Sequence, residues 1–340
     1  MLPKSFNEIP PSEVKLCLKV KNFLVNDLGI DLCDKKIVVA VSGGVDSMVL
    51  LSILNLLKQK LGFSIVVAHL NHGLREEAKK EFVFIKNLCD EEGIEFFGGS
   101  SDVKVFCKAT KRGIEEGARI IRYRFLQGIK KKLSANYIAI AHHLNDLAED
   151  VIMRLLRGVG WPTLGGMKPF EKERSILRPI IFVPKKRLIH FAKAVNLKWV
   201  EDLSNYELNV RRNRVRHNIL PLFIKENPNF LKSIKNLWEL ARLDDEYFSS
   251  VLHALRKKEQ RQGPYTTVLR SEFLPISKTI RLRWLKAIVE DLSKGSVLFS
   301  NLNNLDKGIV EFNGEKKIQF PKGVVVEIKR HKVIFTKGQS

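Results

Sequence analysis

A short glycine-containing loop follows an apolar run near the start of the chain, and its residue types point to phosphate chemistry. The run KIVVAV, residues 36–41, is rich in β-branched residues and predicts a buried strand, whereas the segment from Met48 predicts a helix. Glycines in such a turn let backbone N–H groups approach phosphate oxygens, and the N-terminus of the following helix favours an anion. We therefore predict a nucleotide-binding loop, with a plain strand-to-helix turn as the alternative. The loop residues are Ser42, Gly43, Gly44, Val45, Asp46 and Ser47.

The predicted loop contains an aspartate and lacks the lysine of a Walker loop. That lysine binds the β- and γ-phosphates and suits transfer of the γ-phosphoryl group. Its absence here favours cleavage between the α- and β-phosphates, with pyrophosphate held by the glycines. Asp46 would repel a phosphate unless a cation lay between them, so we predict that Asp46 binds Mg²⁺ on a polyphosphate.

Two carboxylates, Asp146 and Glu149, are three residues apart at the start of another predicted helix and therefore lie on one face of it. Taken alone, such a pair is compatible with an acidic first turn that complements the helix dipole. His142 and His143 come just before the pair, but the spacing is not that of an HExxH zinc site, and we expect His143 near the nucleotide. His69 closes the second predicted strand, at the sheet edge where doubly wound folds bind ligands.

Apolar runs and amphipathic segments alternate along the chain up to about residue 158. This alternation predicts an α/β fold with a doubly wound, mostly parallel sheet. Residues 178–202 predict a short strand, a helix that starts at a proline and a further strand. The pattern is then helical from about Asn218 to Ser293, and the last forty residues predict short strands separated by turns. We predict one domain over residues 1–216 and a smaller helical and β domain over 217–340.

The sequence is strongly basic, with a formal net charge of +22 and a pI near 9.8. Many Lys and Arg side chains together favour a polyanionic partner, although the charge does not distinguish RNA from DNA and a solvated basic surface is the alternative. The densest basic cluster is RRNRVRH, residues 211–217, with KKR at 185–187 upstream. Trp199 and Tyr206 lie near it in sequence and suit stacking on an exposed base.

Membrane and secretory classes are disfavoured by the sequence. It contains no run of 18 or more apolar residues, and its start lacks the apolar region of a signal peptide. The four cysteines are far apart and form no CxxC pair, which argues against a zinc or iron–sulfur site and favours a reducing compartment. We therefore expect a cytoplasmic protein with no membrane partner.

The loop SGGVDS resembles the signature loop of the PP-loop ATP pyrophosphatases, and further segments resemble one family among them, the tRNA(Ile)-lysidine synthetases. The resemblance extends over about residues 35–225 and is weaker in the last hundred residues. Its segments, in order, are AHLNHGLREEA (68–78), EEGARIIRYRFL (115–126), AHHLNDLAEDVIMRLLRGVGWPTLGGM (141–167), RPII (178–181) and residues 201–222.

This resemblance implies a reaction in two steps. ATP adenylates O2 of the wobble cytidine in the isoleucine tRNA with a CAU anticodon, and the ε-amine of free L-lysine then displaces AMP at C2. The product, lysidine, changes the specificity from Met/AUG to Ile/AUA. The resemblance also implies an adenine nucleotide alpha hydrolase-like fold, ATP with Mg²⁺ as cofactors and a C-terminal domain that recognises tRNA, with a homodimer as an open option.

The resemblance also assigns roles to the candidate residues. Catalytic roles fall to Asp46, Arg122, Asp146 and Glu149, of which the last three bind lysine. ATP binding falls to the loop residues 42–47 together with His69 and His143. The residues expected to contact tRNA are Lys185, Arg187, Arg211, Arg212, Arg214 and Arg216.

Some of these roles have structural alternatives. Arg122 suits an anionic substrate group because a guanidinium binds carboxylate or phosphate with two parallel hydrogen bonds, but an exposed helix arginine looks the same in sequence. Asn213 and Arg214 are also suited to fixing the joint between the two domains.

The chain departs from the family where the family reads HHADDQAET and this sequence reads HHLNDLAED. Asn145, Leu147 and Asp150 replace a usual aspartate, glutamine and threonine. These changes put in doubt any role for Asn145, whereas Asp146 and Glu149 are retained.

Three other functions are compatible with a PP-loop. A tRNA thiolase would need a pair of cysteines at usable spacing, which this sequence lacks. A small-molecule amidating synthetase would leave the net charge unexplained. A non-catalytic nucleotide sensor that binds RNA would not need the carboxylate pair and Arg122 together with an intact loop.

Overall fold

A computed structural model of the 340-residue chain describes residues 1–71, 77–200, 210–311 and 314–337, without the side chains of 77–79. The chain divides into two compact units, Met1–Glu239 and Leu240–Ser340. Among these described residues, no helix is long and apolar enough to cross a membrane.

The first unit is a mostly parallel sheet with helices on both faces. Its strands are β1 (Lys36–Ala40), β2 (Ser64–Asn71), β3 (Phe96–Ser100), β4 (Tyr137–Ala139), β5 (Phe170–Glu171) and β6 (Ile176–Leu177). Its helices are α1 (Pro11–Asn22), α2 (Val45–Leu61), α3 (Glu77–Glu92), α4 (Val103–Thr110), α5 (Ile114–Lys132), α6 (Leu144–Leu155), α7 (Lys185–Ala194), α8 (Arg211–Arg214) and α9 (Leu220–Glu226), and α10 (Phe230–Arg256) begins in it.

The strand order is β3-β2-β1-β4-β6-β5, and every pair is parallel except β5 with β6. The predicted doubly wound sheet is therefore confirmed. Strand β1 lies between β2 and β4, and the chain continues from β1 outward to β2 on one side but returns to β4 on the other. The loops that follow β1 and β4 therefore flank a crevice at the carboxyl edge of the sheet. Ligands bind at such a switch point in open α/β sheets.

The apolar run of β1 is buried on both faces, which explains why it lacks the alternation of a half-exposed strand. Val39 packs in the core that contains the apolar side of α2, and Val38 packs with Leu126 and Ile129 of α5 on the opposite face. Each fully buried aliphatic side chain of this kind contributes about 1.5–3 kcal/mol to folding.

Two glycines in β3 allow aromatic rings to pack closely against that strand. A Cβ at Gly98 would lie 2.3 Å from the ring of Phe82 in α3, and a Cβ at Gly99 would lie 2.4 Å from the ring of Phe125 in α5. Since these glycines are adjacent, they admit one ring on each face of the sheet, and the sequence FFGGS is thereby explained.

The segment after β4 differs in part from the prediction. The short strand expected from 178 lies earlier, at β6, and a turn follows it, whereas α7 begins directly after Pro184 as predicted. The further strand predicted near residues 197–202 was wrong for its described part, because residues 195–200 pair with no strand. Instead the N–H of Val200 donates to the carbonyl of Gly43 at 2.9 Å, so this segment crosses the glycine loop.

The compact first unit extends beyond the domain boundary expected at 216. Leu220, Ile234 and Trp238 pack in one core with Leu147 and Val151 of α6. Because the apolar face of α6 needs this cover, α9 and the start of α10 lie in the first unit.

The second unit is an antiparallel sheet packed on helices. The prediction of a smaller C-terminal part with helices and strands is therefore confirmed. The elements that follow α10 are β7 (Gln260–Gln262), β8 (Tyr265–Leu269), α11 (Arg270–Phe273), α12 (Lys278–Ser293), α13 (Phe299–Glu311), β9 (Lys316–Phe320), β10 (Val324–Ile328) and β11 (Lys332–Lys337). The order is β7-β8-β11-β10-β9, and Trp284, Ile288 and Phe335 lie in its core.

The prediction of continuous helix up to Ser293 was wrong at β7 and β8. These strands form a hairpin around Gly263 and Pro264, followed by the β-branched residues of YTTVL. The turn dipeptide Gly-Pro and this strand-forming run were the available signal.

Candidate active site

The glycine loop connects β1 to the N-terminus of α2 and is closed by its own serines. Gly43 has φ +92°, a backbone conformation that residues other than glycine rarely adopt. Ser47 Oγ accepts a hydrogen bond from the Ser42 N–H at 3.2 Å and donates to the Gly44 carbonyl at 2.9 Å. The first N–H groups of α2 have no partner within a helix and suit an anion, which is the chemistry expected of a nucleotide loop.

A lysine that the loop itself lacks is supplied by α7, 139 residues further along the chain. The Nζ of Lys185, the first residue of α7, lies 2.7 Å from each carboxylate oxygen of Asp46. Burial raises the pKa of Asp46, but its contacts with His143 and Lys185 outweigh burial and hold the pKa below its usual value. Lys185 was predicted to contact tRNA, and the structure places it at the nucleotide loop.

Asn145 positions this lysine. Its side-chain oxygen accepts a hydrogen bond from the backbone N–H of Lys185 at 2.9 Å, at the start of α7. The aspartate usual in the family offers the same acceptor, so the departure to asparagine keeps the hydrogen bond and removes one negative charge. The other two departures also have structural partners, since Leu147 is buried in the core and Asp150 accepts a hydrogen bond from Arg154.

His143 connects the glycine loop to the carboxylate pair. It precedes α6, and its Nδ1 accepts a hydrogen bond from the Asp146 N–H at 3.3 Å. Its Nε2 lies 3.5 Å from Asp46 and 3.3 Å from the Asp146 side chain. Because Nδ1 accepts, Nε2 carries the proton, and a single imidazole therefore lies between the predicted nucleotide and amine sites.

The carboxylates of Asp146 and Glu149 are buried and paired with two arginines. Arg212 donates to Glu149 at 2.9 Å and to Asp146 at 3.0 Å. Arg216 donates to Glu149 at 2.7 Å and to Asp146 at 3.0 Å. Burial raises the pKa of Asp146, but His143 and Arg212 hold it well below its usual range. Asp146 is therefore ionised, and two guanidinium groups face the two carboxylates.

The two arginines reach the same carboxylates because they are four residues apart on one helical segment. Arg212 lies in α8 and Arg216 in a single π-helical turn, Val215–Ile219, that continues it. Pro221, which has no N–H to donate to the carbonyl four residues earlier, follows this wider turn. The predicted tRNA-binding and lysine-binding residues thus meet in one cluster.

The remaining basic candidates differ in their surroundings. Arg187 is held by the buried carboxylate of Glu13 at 2.6 Å and donates to the Ser12 carbonyl at 2.9 Å. Arg211 and Arg214 are exposed. Trp199 is half-buried, whereas Tyr206 lies outside the described residues.

Arg122 and His69 are the two remaining candidates. The Arg122 side chain reaches solvent, yet desolvation by the surrounding protein lowers its pKa, as do the charges of Arg212 and Arg119, whereas Asp146 raises it. Arg122 therefore lies near the carboxylate pair. His69 is buried, and its Nδ1 lies 2.9 Å from the Val41 carbonyl, while its Nε2 has no hydrogen-bond partner within the described part of the chain. Burial lowers the pKa of His69, so the ring is neutral.

Sequence reasoning missed one further contact at this crevice. His142 Nδ1 accepts a hydrogen bond from Nε of Arg178 at 3.1 Å, and Arg178 is itself buried. Arg178 is the first residue of the RPII segment and directly follows two apolar residues, Ile176 and Leu177. A charged residue at the end of a buried strand was the signal from which this contact could have been predicted.

Comparison with known proteins identifies the domain that carries these residues. The family model described as a PP-loop domain matches residues 13–223. A similar fold is seen in the U34-tRNA thiolase NcsA from Methanococcus maripaludis, with a TM-score of 0.56 and 20% identity over 68% of this chain and 80% of that one. The chain thus carries a PP-loop ATP-binding domain, and the predicted use of ATP is confirmed.

Two relatives define the family more narrowly. A tRNA(Ile)-lysidine synthase of Nitratidesulfovibrio vulgaris is 34% identical over 318 residues, which cover 88% of this chain and 92% of the relative. Another, of Petrotoga mobilis, is 41% identical over 226 residues, which cover 66% of this chain and 70% of the relative. The chain belongs to the tRNA(Ile)-lysidine synthase family, as the resemblance predicted, and is a tRNA-modifying ligase.

Proposed function

We propose that the chain joins free L-lysine to C2 of the wobble cytidine in the CAU-anticodon isoleucine tRNA, through an adenylated cytidine, with release of pyrophosphate and AMP. The product changes decoding from Met/AUG to Ile/AUA. The observation that carries this proposal is that His143 contacts both Asp46 of the glycine loop and Asp146 of the carboxylate pair. A reaction that first adenylates a base and then replaces AMP by an amine needs both half-sites within reach of one atom.

The nucleotide half of the site suits ATP with a bridging cation. Asp46 already pairs with a cation in the form of the Lys185 ammonium, and one carboxylate together with phosphate oxygens is the usual ligand set of Mg²⁺. Mg²⁺ held there by Asp46 would offset the charge of the phosphates. Lys185 then becomes a second cation for phosphate oxygens, and the loop backbone of residues 42–47 binds the pyrophosphate.

The amine half of the site suits lysine, and the arginines bear on how the amine reacts. Two carboxylates alone would hold an amine as ammonium, which has no lone pair for attack. Arg212 and Arg216 balance the charges of Asp146 and Glu149, and Arg122 adds a third cation nearby. A bound amine therefore gains hydrogen-bond acceptors without a strong net negative charge, so its free-base form is accessible.

The tRNA side of the proposal rests on charge and exposure. Arg211 and Arg214 are exposed beside the carboxylate-paired arginines, which suits a phosphate backbone close to the reacting base. We assign recognition of the rest of the tRNA to the second unit. The four cysteines are free thiols, which supports a cytoplasmic location, and a homodimer stays a prediction.

The direct test is incorporation of radiolabelled lysine into a CAU-anticodon isoleucine tRNA transcript with MgATP, with AMP measured in the same reaction. We expect ATP-dependent, acid-stable label in tRNA and loss of both signals in Asp46→Asn. Asp31→Asn, which changes an exposed aspartate paired with Lys35, is the matched control and retains activity. AMP formed without label in tRNA would contradict lysine as the nucleophile.

A further inference from the structure

Arg178 is a buried arginine whose hydrogen bonds hold the side chain of His142. It is 5% exposed and follows β6. Its Nε donates to His142 Nδ1 at 3.1 Å, its Nη1 to the Lys168 carbonyl at 2.6 Å and its Nη2 to Glu171 at 3.2 Å. With three separate acceptors, the guanidinium has one orientation.

This contact determines where the proton of His142 resides. An arginine has only donors, so His142 Nδ1 must accept, and the neutral ring carries its proton on Nε2. A proton on Nδ1 would oppose an N–H of Arg178. Burial of the ring lowers the pKa of His142. The charge of Asp146 raises this pKa, whereas the charges of Arg178, Arg212 and Arg122 lower it, and the resulting pKa is about 3.

The remaining nitrogen of His142 lies at the crevice. His142 comes three residues after β4, at the carboxyl edge of the sheet, and the next residue contacts both Asp46 and Asp146. Its Nε2 makes no hydrogen bond to any residue in the described ranges, and the side chain is partly exposed. A fixed N–H donor therefore stands open beside the two half-sites.

We propose that His142 donates this N–H to an oxygen of the adenylated cytidine, either the former O2 or a phosphate oxygen bonded to the same phosphorus, and that Arg178 is the positioning residue that keeps it a donor. The inference rests on the proposed function. It also excludes His142 as the base that deprotonates lysine, because the only lone pair of the neutral ring is directed at Arg178. The donor stabilises negative charge as the C2–O bond breaks and AMP leaves, and it transfers no proton.

Two substitutions of His142 separate a donor from a base. Glutamine places an amide N–H near the position of Nε2 but has no titratable proton, whereas leucine has no polar atom. In the lysine-incorporation assay we expect His142→Gln to stay within about tenfold of the unmodified chain and His142→Leu to fall by about 100-fold, as for loss of one oxyanion donor. Equal loss in the two variants, with the unmodified chain active, would overturn the inference. Absence of lysine incorporation by the unmodified chain would instead overturn the proposed function.

The role of Arg178 is tested without activity, by NMR of the full chain labelled with ¹⁵N-histidine and assigned with His142→Gln. We expect a His142 ring protonated at Nε2 that does not titrate between about pH 5 and 8. Arg178→Met should let the proton occupy Nδ1 as well as Nε2, because the opposing N–H is gone while burial still keeps the ring neutral. Arg178→Lys should restore a donor to Nδ1. Glu171→Gln, which keeps an acceptor for Arg178 and removes only a charge, should leave the proton of His142 on Nε2. A proton on Nδ1 in the unmodified chain, or titration there near the ordinary histidine pKa, would overturn the inference.

Discussion

The two ends of the crevice hold cations in different ways. At the loop end, one ammonium pairs with one carboxylate, and the side chains of Lys185 and Asp46 are 35% and 28% exposed. At the other end, two guanidinium groups share two carboxylates, and Glu149 is only 1% exposed. An ion pair open to water is worth about 0–1 kcal/mol, whereas removal of one partner of a buried pair costs about 3–5 kcal/mol.

This difference indicates how each end accepts its substrate. The pair at Asp46 costs little to separate, so under the proposed function a metal-bound polyphosphate would displace Lys185 from the carboxylate. The arginine–carboxylate cluster is part of the fold, so under the proposed function lysine would bind beside it without separating its ion pairs. The first region is a replaceable contact, and the second is a preformed cluster of ion pairs.

The largest expected effect is the loss of a carboxylate at the buried end. Glu149→Gln removes the charge of one of the two carboxylates that Arg212 and Arg216 share and replaces one acceptor oxygen by an amide donor, and we expect it to lower the free energy of unfolding by about 3 kcal/mol. Urea denaturation measures this loss, with Asp46→Asn as the comparison, for which we expect a change below about 1 kcal/mol. If the two variants lost equal stability, the contrast between the ends would be broken.

The pH dependence of stability should follow from the same cluster. Burial raises the pKa of Asp146, but His143 and Arg212 outweigh it, so the folded pKa lies below the unfolded value of about 3.9. The unfolded chain therefore takes up a proton first, and the contribution of Asp146 is complete above pH 4 and is lost as the pH falls further, by about 1.4 kcal/mol for each unit of difference in pKa. Denaturation midpoints from pH 6 to pH 3 should fall more steeply for the unmodified chain than for Asp146→Asn. Parallel profiles would contradict an ionised, arginine-paired Asp146.

A smaller effect is expected at the loop end. Lys185→Met removes the ammonium next to Asp46, and we expect MgATP to bind about tenfold more weakly, equivalent to about 1.4 kcal/mol. Lys186→Met changes the exposed neighbour and is the matched control. Isothermal titration without tRNA isolates the nucleotide contact. Equal affinities of the two variants for MgATP would show that Lys185 pairs with Asp46 and does not contact the nucleotide.

The smallest effect concerns the residue that departs from the family. Asn145→Ala removes the acceptor for the Lys185 N–H and should lower the free energy of unfolding by about 1 kcal/mol, as for loss of a helix cap. Asn145→Asp keeps the acceptor and should stay within about 0.5 kcal/mol of the unmodified chain. A large loss in both variants would give Asn145 a role beyond capping.

Local patterns predicted the parts of this site that depend on neighbouring residues. The apolar run, the glycines and the helix start placed the loop 42–47, and a spacing of three placed Asp146 and Glu149 on one face. Contacts between distant segments carried no such signal. Lys185 reaches Asp46 across 139 residues, and nothing local distinguishes it from Lys186.

The same limit explains the basic cluster around 211–217. Its charge suggested a solvent-facing nucleic-acid surface, yet Arg212 and Arg216 turn toward buried carboxylates because the π-helical turn that follows α8 packs on α6. Charge density predicts a partner of opposite sign but not whether that partner belongs to the ligand or to the protein. Only the tertiary arrangement separates Arg211 and Arg214, which are exposed, from their neighbours.

The central claim, that both half-reactions meet at one crevice through an adenylated cytidine, has a direct isotopic test. A CAU-anticodon isoleucine tRNA carrying ¹⁸O at O2 of the wobble cytidine is incubated with the chain, MgATP and lysine, and the released AMP is analysed by mass spectrometry. The labelled oxygen becomes bonded to phosphorus in the first step, and it leaves with AMP when the C2–O bond breaks in the second. The account therefore predicts one ¹⁸O in AMP for each lysidine formed. Unlabelled AMP, or ¹⁸O found in pyrophosphate or water, would contradict it.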